Sequence, residues 1–282
     1  MNAIYLWITE PFSYPFMQNA LITALLVSVI CAMLSCYLVL KGWSLMGDAI
    51  SHAVLPGIVV AFWLGLPLSI GAFIAGLVCS ISVGYLKENS RIKEDTAMGI
   101  VFSGMFALGI VLFTKIETEQ HLTHILFGNL LGVSDAEVWQ TFFMTALIFL
   151  VIFLRLKDFL LYCFDPNQTK IVGLSPRLLH YSLLILLALT IISAMQVVGV
   201  ILVVAMLISP GITAFILTKR FDYMIAIALM TSVSTSILGT IISYYIDGAT
   251  GPCIILLQAT EFLTALIYSK IRLRFNATLE TS

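Results

Sequence analysis

The chain has 282 residues, of which 60% are hydrophobic and only 10% are charged. A soluble domain carries roughly 25% charged residues, and so few charges could not cover this much apolar surface. The composition therefore excludes an ordinary soluble fold, and the net charge of −1 gives no indication of a nucleic-acid partner. We expect an all-α fold, a polytopic transmembrane helical bundle, because the sequence lacks the ~10-residue alternating segments of a β-barrel.

Apolar segments close to the ~20 residues needed to cross a bilayer recur along the chain. Residues 1–16 precede them, lack the basic start of a signal peptide and contain several aromatic residues, so we interpret them as an interfacial segment. About nine segments follow, with a range of eight to ten, and we expect residues 1–282 to form one permease-like domain. The predicted segments are 17–40, 44–65, 68–86, 96–114, 137–156, 179–196, 199–217, 223–245 and 253–269.

The apolar run between Arg177 and Lys219 contains two of these segments without a charged connection. It is long enough for two crossings that turn near Gln196–Gly199. Alternatively, Pro210-Gly211 could interrupt its second half and leave one long crossing and a broken helix. We follow the two-crossing interpretation, which gives nine segments.

Basic residues collect on one side of this predicted topology. With nine segments, the opposite side carries Lys115 alone, together with several acidic residues. The positive-inside rule then predicts a cytoplasmic C-terminus and an N-terminus outside. The basic clusters on the predicted cytoplasmic side are Lys41, residues 87–93, residues 155–177, residues 219–220 and residues 270–274.

Residues 157–178 form the longest predicted cytoplasmic connection. A loop that only joins two helices is usually shorter, and this one contains a short amphipathic stretch between its prolines. We expect a small helix at the membrane surface that acts as a docking element. A plain connector is the alternative interpretation.

Ionisable residues inside apolar segments are costly in a bilayer and are candidates for function. Asp48 and His52, in SLMGDAISHAVLPG, have i, i+4 spacing, which places both side chains on one helical face. A carboxylate and an imidazole together form half of a site for Mn²⁺, Fe²⁺ or Zn²⁺. A helix-stabilising Asp–His⁺ pair is the alternative, and a symmetric dimer would supply the missing ligands.

Other candidate residues are weaker. Glu261 shares a polar stripe with Gln258 and could be a second ligand, a proton-coupled group or an interhelical hydrogen-bonding group, the last being favoured. His124 follows His121 in the outer loop, where a structural role is favoured over a metal entry point. His180 is expected at the membrane interface. The five cysteines form no CxxC motif and are expected to be small buried hydrophobic residues.

The sequence contains no Walker A motif, nucleophile elbow or HExxH motif. We therefore expect a transport subunit without its own ATPase site rather than an enzyme. Active transport would need energy from another subunit or from an ion gradient.

Five stretches together resemble the membrane subunits of bacterial manganese/zinc/iron ABC importers, most of all the manganese/iron branch. They follow the family's order between about residue 17 and residue 270. The stretches are GWSLMGDAISHAVLPG, KEDTAMGI, THILFGNLLG, FDPNQTKIVGLSPRLLHYSL and AMQVVGVILVVAMLISPGITA.

The resemblance implies a homodimeric, multi-pass permease in the bacterial inner membrane, surrounded by membrane lipid. It also implies cytoplasmic ABC ATPase subunits, and an extracytoplasmic solute-binding protein that delivers the metal. It associates Asp48 and His52 with the metal path. In these importers the cytoplasmic loop corresponds to a coupling element that docks into the ATPase. A small residue is common there at the position of Thr169, and threonine is still small. The positions implied in ATPase coupling are Asp165, Pro166, Gly173 and Leu174.

The expected substrate is Mn²⁺, with Zn²⁺ or Fe²⁺ as alternatives, and no permanently bound cofactor is expected. Carboxylate and imidazole ligands bind all three ions, so the residues alone do not discriminate between them. A proton-coupled secondary metal transporter, with Glu261 as the relay, is the rival interpretation. Such a transporter predicts an internal inverted repeat, which the sequence does not show.

Overall fold

The computed structural model describes residues 10–43, 45–114 and 130–280. Within these ranges the regular elements are helices joined by turns, which confirms the all-α prediction. Numbered in chain order, they are α1 (Pro15–Lys41), α2 (Met46–Ala53), α3 (Leu55–Trp63), α4 (Leu68–Asn89), α5 (Glu94–Phe113), α6 (Asp135–Leu154), α7 (Leu156–Phe164), α8 (Pro166–Ile171), α9 (Pro176–Val198), α10 (Val200–Leu217), α11 (Phe221–Ile246) and α12 (Thr250–Glu280).

Eight spans among the described residues are long and apolar enough to cross a membrane: α1, α2 with α3, α4, α5, α6, α9, α11 and α12. The described apolar part of α10, Leu202–Leu217, is shorter. The nine predicted segments correspond to these eight spans and α10. Except at the end of α12, the predicted boundaries lie within three residues of the observed ones.

Helix α1 lies at the centre of the bundle and packs against α6, α10 and α11. Small buried residues let these neighbours approach its backbone, and Ser28 and Ser35 are both fully buried. The Ser232 hydroxyl on α11 donates a hydrogen bond to the carbonyl oxygen of Ser28, with an O–O distance of 3.1 Å. The first helix of the chain is therefore held in the core by helices from its last third.

The turn between α9 and α10 falls at Gly199, which has a φ of +81°. This conformation favours glycine, because a Cβ would be strained there. The run between Arg177 and Lys219 therefore contains two helices that turn where expected, and of the two only α9 is among the spans long enough to cross a membrane.

The alternative of a helix broken at Pro210 is wrong, since α10 continues through this proline. The hydroxyl of Ser35 on α1 donates to the carbonyl oxygen of Ile208 at 3.2 Å and accepts the N–H of Gly211 at 2.9 Å. Proline cannot complete the helical hydrogen bonds, and a neighbouring serine supplies polar partners to the backbone around it.

Helices α2 and α3 form one bent span, interrupted only at Val54. Pro56 lies in the first turn of α3 and has no N–H to donate to the carbonyl oxygen of His52, one turn earlier. The span packs against α4 and α5. Gly57 allows α4 to approach closely at Gly71.

Two short helices, α7 and α8, occupy the predicted docking loop between α6 and α9. Phe159 of α7 is buried and packs edge-on against Tyr37 of α1, and the Tyr37 hydroxyl donates to the carbonyl oxygen of Leu156 at 3.1 Å. The connection is therefore a helical segment that is anchored on α1.

Candidate functional site

Asp48 and His52 face each other along α2. The distance from Asp48 Oδ1 to His52 Nε2 is 3.4 Å, as the i, i+4 spacing predicts. Their side chains are 45% and 32% exposed, respectively. Both groups therefore remain accessible in a helix that is otherwise packed into the core.

The exposure of α2 is confined to one narrow stripe. Its other described residues are buried, and α2 packs against α4, α5, α9 and α10. Leu45, which is 56% exposed, precedes Asp48 by three residues and extends the same stripe. The only carboxylate and imidazole of this helix thus lie on the single face that its neighbours leave partly open.

Two aromatic rings of α5 form a wall beside His52. The ring centroid of Phe106 lies 5.3 Å from that of His52 in an edge-on arrangement, and that of Phe102 lies 5.6 Å away. These contacts restrict the orientation of the imidazole. Neither ring contact was predictable from the sequence, because residues 50 and 54 positions apart carry no local signal of contact.

The described part of the chain places Asp48 and His52 together without a third potential metal ligand. Among the described residues, no group of three or more His, Cys, Asp or Glu side chains lies close enough to hold a metal ion. Asp48 lies in the first turn of α2 and His52 in its last turn, so the pair also matches the helix-stabilising alternative. The geometry shows a carboxylate–imidazole pair that is partly exposed.

Glu261 takes part in an interhelical hydrogen bond. The Ser234 hydroxyl on α11 donates to Glu261 Oε1 on α12 at 3.0 Å. Gln258, one turn earlier, is 3% exposed, and its side-chain amide has no hydrogen-bond partner among the described residues. The favoured interpretation of Glu261 thus agrees with the geometry. Glu261 is not close enough to other potential ligands to form a metal cluster within the described ranges.

Several weaker candidates have different outcomes. His124 and His121 lie outside the described residues, so their predicted roles stay predictions. His180 is buried near the start of α9, and its Nδ1 atom forms a 2.9 Å hydrogen bond with the Tyr162 hydroxyl. Three of the cysteines are buried as expected, and the remaining two are partly exposed; the buried three are Cys31, Cys36 and Cys79.

The predicted coupling residues lie together on α8 and at its ends. Asp165 caps the helix: its Oδ1 atom accepts the N–H groups of Asn167 at 2.8 Å and Gln168 at 3.1 Å. Pro166 occupies the first turn, where a missing N–H costs nothing. Aspartate followed by proline therefore starts this helix sharply.

The other end of α8 turns at Gly173, which has a φ of +88°. The N–H of Leu174 then donates to the carbonyl oxygen of Thr169 at 3.1 Å and closes the turn. Thr169 is fully buried, and its hydroxyl donates to the carbonyl oxygen of Asp165, so threonine fits in this position.

This end of the segment presents large apolar side chains to the outside. Ile171 is 84% exposed and Val172 is 64% exposed, while Phe159 and Tyr162 anchor the opposite side in the bundle. Apolar residues exposed together on a short, anchored element are typical of an interaction surface.

The fold and these features define a polytopic membrane protein, with a polar pair on a partly open helix face and a separate helical segment, α7–α8, between two of its spans. The model of the ABC 3 transport family matches residues 13–269, and the chain belongs to this family.

Individual relatives agree with this assignment. A "Probable iron transport system membrane protein" of Haemophilus influenzae is 69% identical over 268 residues, which cover 95% of this chain and 99% of the relative. The "Manganese transport system membrane protein MntB" of Synechocystis sp. is 48% identical over 261 residues, which cover 93% of this chain and 85% of the relative. The chain is thus similar to membrane subunits of both iron and manganese transport systems.

A solved structure has the same fold. PsaBC from Streptococcus pneumoniae in complex with Fab superposes with a TM-score of 0.83 at 42% identity, covering 93% of this chain and 95% of that chain. The predicted resemblance to manganese/iron ABC importer permeases is confirmed, and so is the multi-pass location in the bacterial inner membrane.

Proposed function

We propose that this chain is the membrane-spanning subunit of an ATP-driven importer that moves a divalent transition metal across the bacterial inner membrane. One observation carries the proposal: Asp48 and His52 lie 3.4 Å apart on the only open stripe of a buried helix. An ionisable pair in this position has a cost in the bilayer, and ligand exchange with a passing metal ion explains why it is there.

Two copies of the chain would complete the metal path. One protomer offers one carboxylate and one imidazole, too few for a first-row metal ion, which takes four to six ligands in roughly tetrahedral or octahedral geometry. A two-fold axis that passes beside the open stripe would bring two such pairs together. A homodimeric permease is therefore part of the proposal.

The α7–α8 segment would connect the permease to separate cytoplasmic ATPase subunits. Asp165 and Gly173 define the two ends of α8, and the exposed Ile171 and Val172 provide an apolar docking surface. ATP-driven movement of this segment would rock the helices around the metal path and expose it alternately to either side. An extracytoplasmic solute-binding protein would deliver the metal on the opposite face.

The metal is proposed to be Mn²⁺, with Fe²⁺ as the second candidate because one relative at 69% identity is named for iron transport. Neutral imidazole and carboxylate bind both ions, and Fe²⁺ binds such ligands more tightly than Mn²⁺. Selectivity for Mn²⁺ would therefore have to arise from the coordination number in the dimer or from the delivering protein.

The test is uptake of radiolabelled Mn²⁺ and Fe²⁺ into vesicles that contain the chain with its ATPase subunits. We expect the variants Asp48→Ala and His52→Ala to lower uptake of the transported metal at least tenfold, about the minimum loss seen when metal-site partners are removed. Assembly with the ATPase, measured by co-purification, should stay unchanged.

Asp222→Ala is the matched control, because Asp222 is also a carboxylate in the first turn of a helix. If Asp48 only stabilises α2, both substitutions should lower the melting temperature slightly and leave uptake near the wild-type rate. That result would overturn the proposed site. If Asp48→Ala abolishes uptake while Asp222→Ala does not, the result supports the proposed site.

A further inference from the structure

A buried hydrogen bond between two side chains joins the α7–α8 segment to α9. The Tyr162 hydroxyl on α7 and the Nδ1 atom of His180 on α9 lie 2.9 Å apart. Both side chains are buried. Removing one partner leaves the other polar atom inside the protein, which costs more than the loss of a contact at the surface. The bond is therefore a firm connection between a short helix and a membrane-spanning one.

His180 lies where several helices meet. The ring of Trp43, which follows α1, packs edge-on against the imidazole with a centroid distance of 5.2 Å. Gly84 of α4 is also adjacent, since a Cβ atom built on this glycine would come within 3.3 Å of Nε2 of His180. The same Cβ atom would lie 3.2 Å from the ring of Tyr181. An imidazole enclosed in this way moves with the helices around it.

The outer helix of the segment, α8, is connected to the bundle through its two neighbours in the chain. It packs against α7 and the start of α9. Lys170 of α8 and Glu88 of α4 line a cavity of about 590 Å³, so these two helices face each other across open space. A force on α8 therefore reaches the membrane-spanning helices through α7 and the start of α9, where Tyr162 and His180 are bonded.

From α9 a continuous packed path leads to the helix that carries the metal pair. A Cβ atom built on Gly76 of α4 would lie 3.4 Å from Ile50 of α2 and 3.7 Å from Ala188 of α9. In addition, α9 packs directly against α2. Ile50 lies between Asp48 and His52 in the sequence. Because closely packed interiors transmit strain, a displacement of α9 acts on the helix of the metal pair.

We propose that Tyr162 and His180 are positioning residues of the transport cycle. Their hydrogen bond makes the α7–α8 segment and α9 move together, and α9 passes the movement to α2 with Asp48 and His52. Neither positioning residue is assigned a contact with the metal. The inference rests on the proposed function, in which ATP-driven movement of the segment opens the metal path to each side in turn.

The segment has a second anchor, on α1, which leads to other helices. The buried Tyr37 donates its hydroxyl to the carbonyl oxygen of Leu156 at 3.1 Å. The principal neighbours of α1 are α6, α10 and α11, whereas α9 packs directly against α2. Tyr37 therefore holds the segment in place without linking it to the metal pair, and it provides a matched control for Tyr162.

The test follows the open stripe of α2 in the assembled transporter, with and without ATP. The variant Leu45→Cys places a thiol on this stripe, since Leu45 is exposed and precedes Asp48 by three residues. We expect ATP to change the rate at which this thiol is alkylated, measured by peptide mass spectrometry. Adding Tyr162→Phe, which removes only the hydroxyl, should shrink that change by about twofold to thirtyfold, the range for residues that carry coupling between two sites.

Three further variants complete the experiment. Tyr37→Phe removes a buried hydroxyl from the other anchor and should leave the ATP-dependent change at the wild-type size. His180→Asn keeps a hydrogen-bonding atom near the position of Nδ1 and should retain more of the change than His180→Leu. Co-purification with the ATPase subunits and their rate of ATP hydrolysis check that each variant folds and assembles.

Two results would overturn the inference: an equal effect of Tyr162→Phe and Tyr37→Phe, or an alkylation rate that does not respond to ATP in the protein with Leu45→Cys alone. The measurement needs no metal, so it is separate from the test of the proposed function. If the alkylation rate responds to ATP through Tyr162 while no metal is taken up, the link between the segment and α2 stands and the proposed function fails.

Discussion

Gly57 of α3 and Gly71 of α4 face each other with no side chain between them. A Cβ atom built on either residue would overlap the carbonyl oxygen of the other. Ala61 and Ala75, one turn away on each helix, continue the contact with the smallest possible side chain. The bent span that carries Asp48 and His52 is thus held against α4 by backbone packing, as in other small-residue contacts between membrane helices.

This contact predicts that Gly57→Ala and Gly71→Ala will each destabilise the protein. The added methyl group must push α3 and α4 apart, and such overpacking costs about 1–3 kcal/mol. The measurement is the thermal unfolding temperature in detergent. Gly99→Ala and Gly104→Ala on α5 are the controls, because a Cβ at either position meets no atom within 4 Å. Equal melting temperatures for all four variants would contradict the packing argument.

A second prediction separates the two interpretations of Glu261. Glu261→Gln keeps an oxygen that accepts the Ser234 hydroxyl but cannot release a proton. We expect metal uptake within twofold of the wild type, because the hydrogen bond is retained. Glu261→Leu removes the acceptor and should lower stability by about 0.6–1.7 kcal/mol, the range for hydrogen bonds between membrane helices. Loss of uptake in the glutamine variant would instead support the proton-coupled rival.

A third prediction concerns the ends of α8. Asp165→Ala removes the acceptor for two backbone N–H groups and should destabilise the start of this helix by about 1 kcal/mol. Asp165→Asn retains a capping oxygen and should behave nearly like the wild type. We expect the alanine variant to lose metal-dependent ATP hydrolysis in the assembled transporter, while the asparagine variant retains it. Identical ATPase rates in the alanine and asparagine variants would show that the helix cap at Asp165 is not needed for coupling.

Gly173 provides an independent test of the same segment. A residue with a Cβ costs about 1–2 kcal/mol in the left-handed region. Gly173→Val should therefore impair coupling more than Gly173→Asn, because asparagine tolerates this region better than a β-branched residue. The readout is the ratio of metal transported to ATP hydrolysed. An equal ratio in the two variants would contradict a role of this turn in coupling.

A fifth prediction follows from the environment of Cys163 in α7. Although Cys163 is partly exposed, the burial of much of its side chain raises the pKa of this thiol to about 12, while the nearby Lys41 lowers it. An ordinary thiol has a pKa near 8.5, so the reactive thiolate should be on the order of 10³ times scarcer here at pH 8. Alkylation of Cys163, followed by peptide mass spectrometry, should be correspondingly slow in the folded protein and fast in denaturant. Equal rates in both states would contradict the burial.

Much of the fold was predictable because a helix needs about 20 consecutive apolar residues to cross a bilayer, and such segments are visible in the sequence. The apolar segments and the turn at Gly199 are set by local composition, and the structure places them where expected. The effect of Pro210 was not predictable from its surroundings in the sequence. Its helix continues because Ser35, a residue 175 positions earlier, supplies hydrogen-bond partners to the backbone on both sides of it.

The candidate site was only partly predictable for a similar reason. The i, i+4 spacing of Asp48 and His52 fixes their mutual distance within one helix. The aromatic wall of Phe102 and Phe106, and the burial of His180 against Tyr162, depend on which helices pack together. No local pattern in one sequence contains that information.

The central position of α1 has a consequence for biosynthesis. Among the described helices α1 is translated before the others, yet its hydrogen-bonding partners, Ser232 and Gly211, lie 204 and 176 residues after the serines that they contact. Its high hydropathy of 2.4 lets it persist as an isolated span until then. A ribosome stalled before α10 would leave α1 without its main neighbours, so the nascent chain depends on lipid or on the insertion machinery to shield its serine-lined face.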